Sequence, residues 1–221
     1  MRLLPRAWAR LALWVLLTPI ASLAATFSFT NSFVHDDDLW YFSFSISGTA
    51  NVTFRTYGYA GGTNAASQII PRGGFDPIVS VFTGVLDPAG ISAGSIANDA
   101  GCPNVNADAV TLACWDVLGT LNLPGGSYTV VLSQNDNIPV GGTLGDGFFR
   151  TGQGNYTESV FGPGPGSGPF WDANPNQRNG SWALDILNVN SAADLTVPEP
   201  ATGPLVFCAA IVLLAARPRA N

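Results

Sequence analysis

Three consecutive aspartates, Asp36-Asp37-Asp38, stand just before an aromatic-rich stretch, and two further acids, Asp136 in Asn135-Asp136-Asn137 and Asp146 before Gly147, fall in segments that read as loops. Loop carbonyls together with a few carboxylates can supply the six to eight oxygens that calcium takes. Structural calcium held by Asp36, Asp37, Asp38, Asp136 and Asp146 is therefore one expectation, although the spacing is not that of an EF-hand. The same acids, with Asp76, Asp99, Asp116, Asp172 and Asp185, could instead furnish the acid and nucleophile of a glycosidase. That chemistry needs two carboxyl groups about 5 Å or about 6.5–9.5 Å apart, which linear spacing does not fix. Aspartates in turns more commonly cap backbone amides.

Other catalytic chemistries are poorly supplied. His35 is the sole imidazole and sits beside three aspartates, so it reads as a local charge partner. All nine basic residues are arginine, which excludes a lysine nucleophile or Schiff base. Cys102 and Cys114 lie twelve positions apart in a Gly/Pro/Asn-rich segment, while Cys208 lies near the C-terminus. In an exported protein the first two read as a disulfide, stabilising by about 3 kcal/mol in the chain-entropy treatment. Zinc would want three or four Cys/His ligands, which are lacking. Among the aromatics, those at alternating strand positions read as core, whereas Phe170-Trp171, after a Gly/Pro run, reads as an exposed contact for a sugar.

The elements that must position these groups are strands. Thr26–Thr30 alternates strictly, and Leu39–Ser47 puts Trp40, Phe42, Phe44 and Ile46 on one face with Tyr41, Ser43, Ser45 and Ser47 on the other. Val52, Phe54 and Thr56 oppose Thr53, Arg55 and Tyr57 in the same way. Pro77–Thr83, Trp115–Leu123, Tyr128–Ser133 and Trp182–Val189 are further strand candidates, all rich in β-branched and aromatic residues. Gly and Pro punctuate the gaps, as at Leu123-Pro124-Gly125-Gly126. No long helical stripe interrupts this pattern. The fold class expected is all-β: an antiparallel β-sandwich, jelly-roll-like, over residues 25–190.

Both ends read as addresses. Arg2, Arg6 and Arg10 precede a short apolar run, Leu11–Leu17, and Ser22-Leu23-Ala24 supplies a small-residue cleavage site. Residues 1–24 thus read as a signal peptide for the Sec translocon and signal peptidase, too short in its apolar part to span a bilayer. Residues 191–200 read as a linker, and 201–221 as a hydrophobic helix with a basic end. The apolar run Ala201–Ala216 would reach roughly 24 Å as a helix, short of a ~30 Å hydrocarbon core. The positive-inside rule would leave Arg217 and Arg219 in the cytoplasm. Once both ends are set aside, four arginines face fifteen acids. Nucleic acid is then excluded as a partner, because phosphate binding needs a basic patch.

The order Val197-Pro198-Glu199-Pro200, apolar helix, Arg217 and Arg219 resembles the PEP-CTERM sorting signal of Gram-negative bacteria. The resemblance covers residues 197–219. It implies recognition of the Pro-Glu-Pro motif and tail by an exosortase, transient membrane contact through the helix, and association with extracellular polysaccharide and biofilm. The body resembles pre-peptidase C-terminal domains in Asp36-Asp37-Asp38 followed by Phe-x-Phe and Val-Thr-Phe strands. Tyr59–Asn64, Ile70–Pro77, Leu132–Asn137, Asp146-Gly147-Phe148 and Trp182–Ile186 look like an uncharacterised secreted PEP-CTERM family. These likenesses imply fold and location, not catalysis. The leading expectation is a non-enzymatic structural or adhesive protein of the cell surface or extracellular matrix. A calcium-supported carbohydrate-binding module is the first alternative and a carboxylate-dependent hydrolase the second.

Overall fold

The computed structural model describes residues 24–96 and 101–195. The signal peptide, Val197-Pro198-Glu199-Pro200, the apolar run and Arg217 and Arg219 lie outside the described residues, which contain no helix long and apolar enough to cross a membrane.

Eleven strands follow in chain order: β1 (Ala25–Ser32), β2 (Trp40–Ile46), β3 (Ala50–Thr56), β4 (Gly62–Thr63), β5 (Ile69–Ile70), β6 (Pro77–Thr83), β7 (Ser92–Ile96), β8 (Leu118–Leu123), β9 (Gly126–Gln134), β10 (Ser181–Val189) and β11 (Ser191–Asp194). They form a four-stranded sheet, β1-β10-β3-β8, a five-stranded sheet, β11-β2-β9-β6-β7, and the small β4-β5 hairpin. Every pairing between these strands is antiparallel.

The two large sheets pack face to face because alternation gives each one an apolar side. Phe42, Phe44 and Ile46 of β2 are buried, as are Val52 and Phe54 of β3 and Trp182, Leu184 and Ile186 of β10. Phe42 meets the Trp182 ring edge-on at 5.7 Å and Phe29 at 4.8 Å, and Phe44 meets Phe54 at 5.8 Å. Edge-on and tilted arrangements suit the ring quadrupoles, and each aromatic removes about 150–250 Å² from water.

The chain crosses between sheets at most connections. Two crossover turns, 47–49 and 124–125, touch each other: a Cβ on Gly125 would meet the Gly48 backbone at 3.1 Å, a tight contact that glycine avoids. Both outer faces are partly covered. On the five-stranded sheet, Phe82, Val131 and Phe148 cluster with Leu39, Tyr41 and Leu144. On the four-stranded sheet, buried Asp185 accepts hydrogen bonds from Ser28 Oγ, Tyr57 Oη and the Ala65 N–H, which pins the β4-β5 segment down.

The structure departs from the sequence expectation in a few places. Trp115–Val117 is not strand, because Asp116 turns inward to accept from Thr56 Oγ1, Tyr59 N and Ala60 N. The strands β7 and β11 are made of small and polar residues and lack the alternation that marks the others. The loop 136–181 holds a one-turn helix, Thr157–Val160.

Candidate functional site

The densest assembly of charged groups is built around Asp108, on the loop that the Cys102–Cys114 disulfide closes. The two Cα atoms lie 5.5 Å apart, within the range a disulfide spans. Asp108 is fully buried. Its Oδ1 accepts from Thr111 N at 2.8 Å, Thr111 Oγ1 at 3.0 Å and Arg72 Nη2 at 2.7 Å, and its Oδ2 accepts from Arg72 Nε at 2.5 Å. Arg178 reaches both oxygens at 3.4 Å. Burial alone would raise the carboxyl; the donors from Arg72, Thr111 and Arg178 outweigh it and hold Asp108 well below the usual range.

Arg178 links this carboxylate to the sandwich end. Its side chain is 3% exposed. The guanidinium lies 3.9 Å from the Tyr59 ring centroid and donates to Tyr59 O and Gly74 O. Tyr59 Oη in turn donates to Asp172 Oδ2 at 2.8 Å. Burial, with the bond to Asp172, raises the Tyr59 phenol. Every member of this network therefore has a protein partner. A carboxylate held ionised by two arginines cannot give up a proton as a general acid, and its oxygens are already occupied.

The acids expected to share a calcium ion form no three-ligand cluster among the described residues. Asp36 is buried and caps the one-turn helix, accepting from Thr157 N at 2.8 Å and Thr157 Oγ1 at 2.5 Å, while Phe170 N donates at 2.6 Å. Asp37 is tied through its backbone to Gly154 and to Asn137 Nδ2. Asp38 caps Val34 N and His35 N, with His35 Nδ1 at 3.9 Å. Asp136 pairs with Arg150, whose guanidinium lies over both Phe149 and Tyr156. Asp146 accepts from Thr143 N and Oγ1 at 2.8 Å. The carboxylates of Asp36, Asp38, Asp136 and Asp146 accept from nearby N–H or O–H donors, and no three His, Cys, Asp or Glu side chains converge as a metal site among the described residues.

Phe170 is corrected. It is 4% exposed and stacks on Phe75 at 5.9 Å, so it belongs to the core and offers nothing to a sugar. Its buried amide bond to Asp36 draws the backbone inward there. Trp171 is half-buried and lies against Gly162, where a Cβ would meet its indole at 2.7 Å. Two surface clefts open elsewhere on the body. One, of about 320 Å³, is lined by Thr30, Asn31, Gln68, Ile69, Ser181 and Trp182 among others; the other, of about 360 Å³, by Leu39, Tyr41, Leu86, Leu144 and Phe148. Neither carries a carboxylate.

Sequence reasoning missed Asp108, Arg178 and Tyr59. The available signal was the scarcity of body cations: Arg72, Arg150 and Arg178 each meet an aspartate, and Arg55 lies 4.9 Å from the Tyr57 ring.

Burial is the largest influence on Asp36 and, with Asp37 nearby, raises its carboxyl despite the three donors. Its raised folded-state value makes the folded chain bind a proton more tightly than the unfolded chain. Stability should then fall as pH rises from about 4, the ordinary aspartate value, through the raised value. Asp36→Asn removes this titration, so urea melts across that window should show a shallower slope for the variant. An unchanged slope would refute the assignment.

The chain matches no protein-family model and no curated protein.

Proposed function

We propose that the chain is an exported, non-enzymatic protein of the cell surface or extracellular matrix, sorted by an exosortase and serving a structural or adhesive role alongside exopolysaccharide. The observation that carries this reading is the order of parts at the C-terminal edge. β11 ends at Asp194, Leu195 N donates to Tyr41 O at 2.9 Å, and Val197-Pro198-Glu199-Pro200 follows directly. Trp40 Nε1 donates to Asp194 Oδ1 at 2.8 Å, which fastens β11 to β2. A membrane-held tail would thus be joined to a strand secured at the sheet edge, with the recognition motif immediately outside it.

Three further observations support the reading. The disulfide suits an oxidising compartment. The carboxylates with the raw chemistry for hydrolysis are instead bound to arginines, caps and tyrosines. The order β1-β10-β3-β8 over β2-β9-β6-β7 supports a jelly-roll reading, an architecture that includes capsid and lectin domains. The partners are the Sec translocon, signal peptidase, an exosortase and extracellular polysaccharide, with the membrane engaged through residues 201–216.

Replacing the motif tests this. Pro198→Ala/Glu199→Ala/Pro200→Ala should leave the protein in the inner-membrane fraction while the unaltered chain reaches the surface. Equal surface delivery of both would sink the sorting role.

A further inference from the structure

β1 is an edge strand: among the described residues it pairs only with β10. Edge strands expose unpaired N–H and C=O groups, and proteins usually blunt them with lysine, proline, charge or a bulge. From Thr26 to Ser32, β1 has none of these; its one irregularity of register lies between Ala25 and Thr26. Thr26, Thr30, Asn31 and Ser32 are exposed, and Phe27 and Phe29 are only half-buried. The other sheet edges are treated differently. β11 is four residues long and carries Asp194. β7 is bulged against β6, and its Ser92 N donates to Gly142 O. β8 lies against β7 so closely that a Cβ on Gly119 would meet the Ile96 side chain at 2.6 Å; β1 also borders a strand of the facing sheet, the short β11.

The sequence of the open edge reads the same in both directions: Thr26-Phe27-Ser28-Phe29-Thr30. We propose that β1 is a self-association edge that pairs antiparallel with β1 of a second copy of this chain, about a two-fold axis at Ser28. In that register Phe27 faces Phe29 of the copy, Thr26 faces Thr30, and Ser28 faces Ser28. Aromatic–aromatic and Thr–Thr pairs are favourable cross-strand neighbours. A two-fold contact must be self-complementary, and a palindromic strand meets that requirement along its own length. Charge selects the same edge. The body is strongly acidic, so two copies repel over most of their surface, and an uncharged strip is where they can meet. The cleft beside Thr30 and Asn31, with Ile69 86% exposed at its rim, lies next to the start of the incoming strand. The two four-stranded sheets would join into one continuous sheet, a contact suited to a matrix protein.

The full chain, kept in mild detergent so that its apolar run is dispersed alike in every variant, should have the mass of a dimer by sedimentation or light scattering. Thr26→Lys/Thr30→Lys sets lysine against lysine across the axis and should give a monomer with an unchanged thermal melt. Thr26→Glu/Thr30→Lys sets opposite charges at the same sites and should restore the dimer, with an affinity that falls as salt rises. Both positions are exposed, so the fold tolerates the changes. A monomeric unaltered chain overturns the proposal. So does a dimer that survives the double-lysine change, or a monomer from the charge-paired variant.

Discussion

Asp108→Ala is expected to destabilise the body by about 3–5 kcal/mol, since breaking a buried ion pair leaves its partner uncompensated. Arg178, 3% exposed, would keep its contacts with Tyr59 and Gly74 but lose the carboxylate to which it donates. Arg72, 39% exposed, can turn to water and contributes less. For a domain of this size the loss corresponds to a fall in Tm of roughly 6–20 °C. A double-mutant cycle with Arg178→Met should show strong coupling, the pair of changes costing less than the sum of the two single ones. Additive effects would mean that Arg178 is stabilised by Tyr59 alone. The carboxyl lies well below its ordinary range, so its stabilisation is complete above about pH 4 and is lost as pH falls through the lowered folded-state value. Asp108→Asn should therefore flatten the acid limb of the stability curve.

Opening the Cys102–Cys114 bridge is the second large effect. Cys102→Ala/Cys114→Ala should cost about 3 kcal/mol from the freed unfolded chain, by the loop-closure argument. The loop it closes is the one that delivers Asp108 and Thr111, whose hydroxyl lies 3.1 Å from Tyr59 Oη, to the ionic cluster. The cost should thus depend on Asp108: the cysteine changes made on Asp108→Ala should be milder than on the unaltered chain. Chemical denaturation with and without reductant checks the same point. Reduction that leaves the midpoint unmoved would show that the bridge does not hold this loop.

Much of the fold was legible because alternation with period two survives in the strands that build the core. β2, β3 and β6 lie where Phe42, Phe44, Val52, Phe54, Val79 and Val81 mark them, and the Cys102–Cys114 pairing was readable from its setting. The small-residue strands β7 and β11 were not legible, because their pairing is decided by neighbours rather than by their own side chains. Phe170 misled for a related reason. A Gly/Pro run signals a loop, but the buried carboxylate of Asp36 draws that loop inward, and a contact 134 residues away leaves no local trace. The aspartates misled together. Clustered acids in sequence suggest a shared cation, whereas turn geometry sends Asp38 and Asp146 to backbone amides and Asp136 to an arginine. The ionic cluster joins Tyr59, Arg72, Asp108, Asp172 and Arg178 from four separate loops, which only the tertiary fold assembles.

The central claim is export followed by tail-directed sorting, and intact-mass measurement of the protein recovered from cells with and without the exosortase tests it most directly. Cells with the enzyme should yield a chain that begins near Ala25, holds the Cys102–Cys114 bridge and lacks the apolar run and Arg217 and Arg219. Cells without it should yield a membrane-bound chain with those residues still attached. An intact C-terminus in both would contradict the account and leave residues 201–221 as a simple tail anchor.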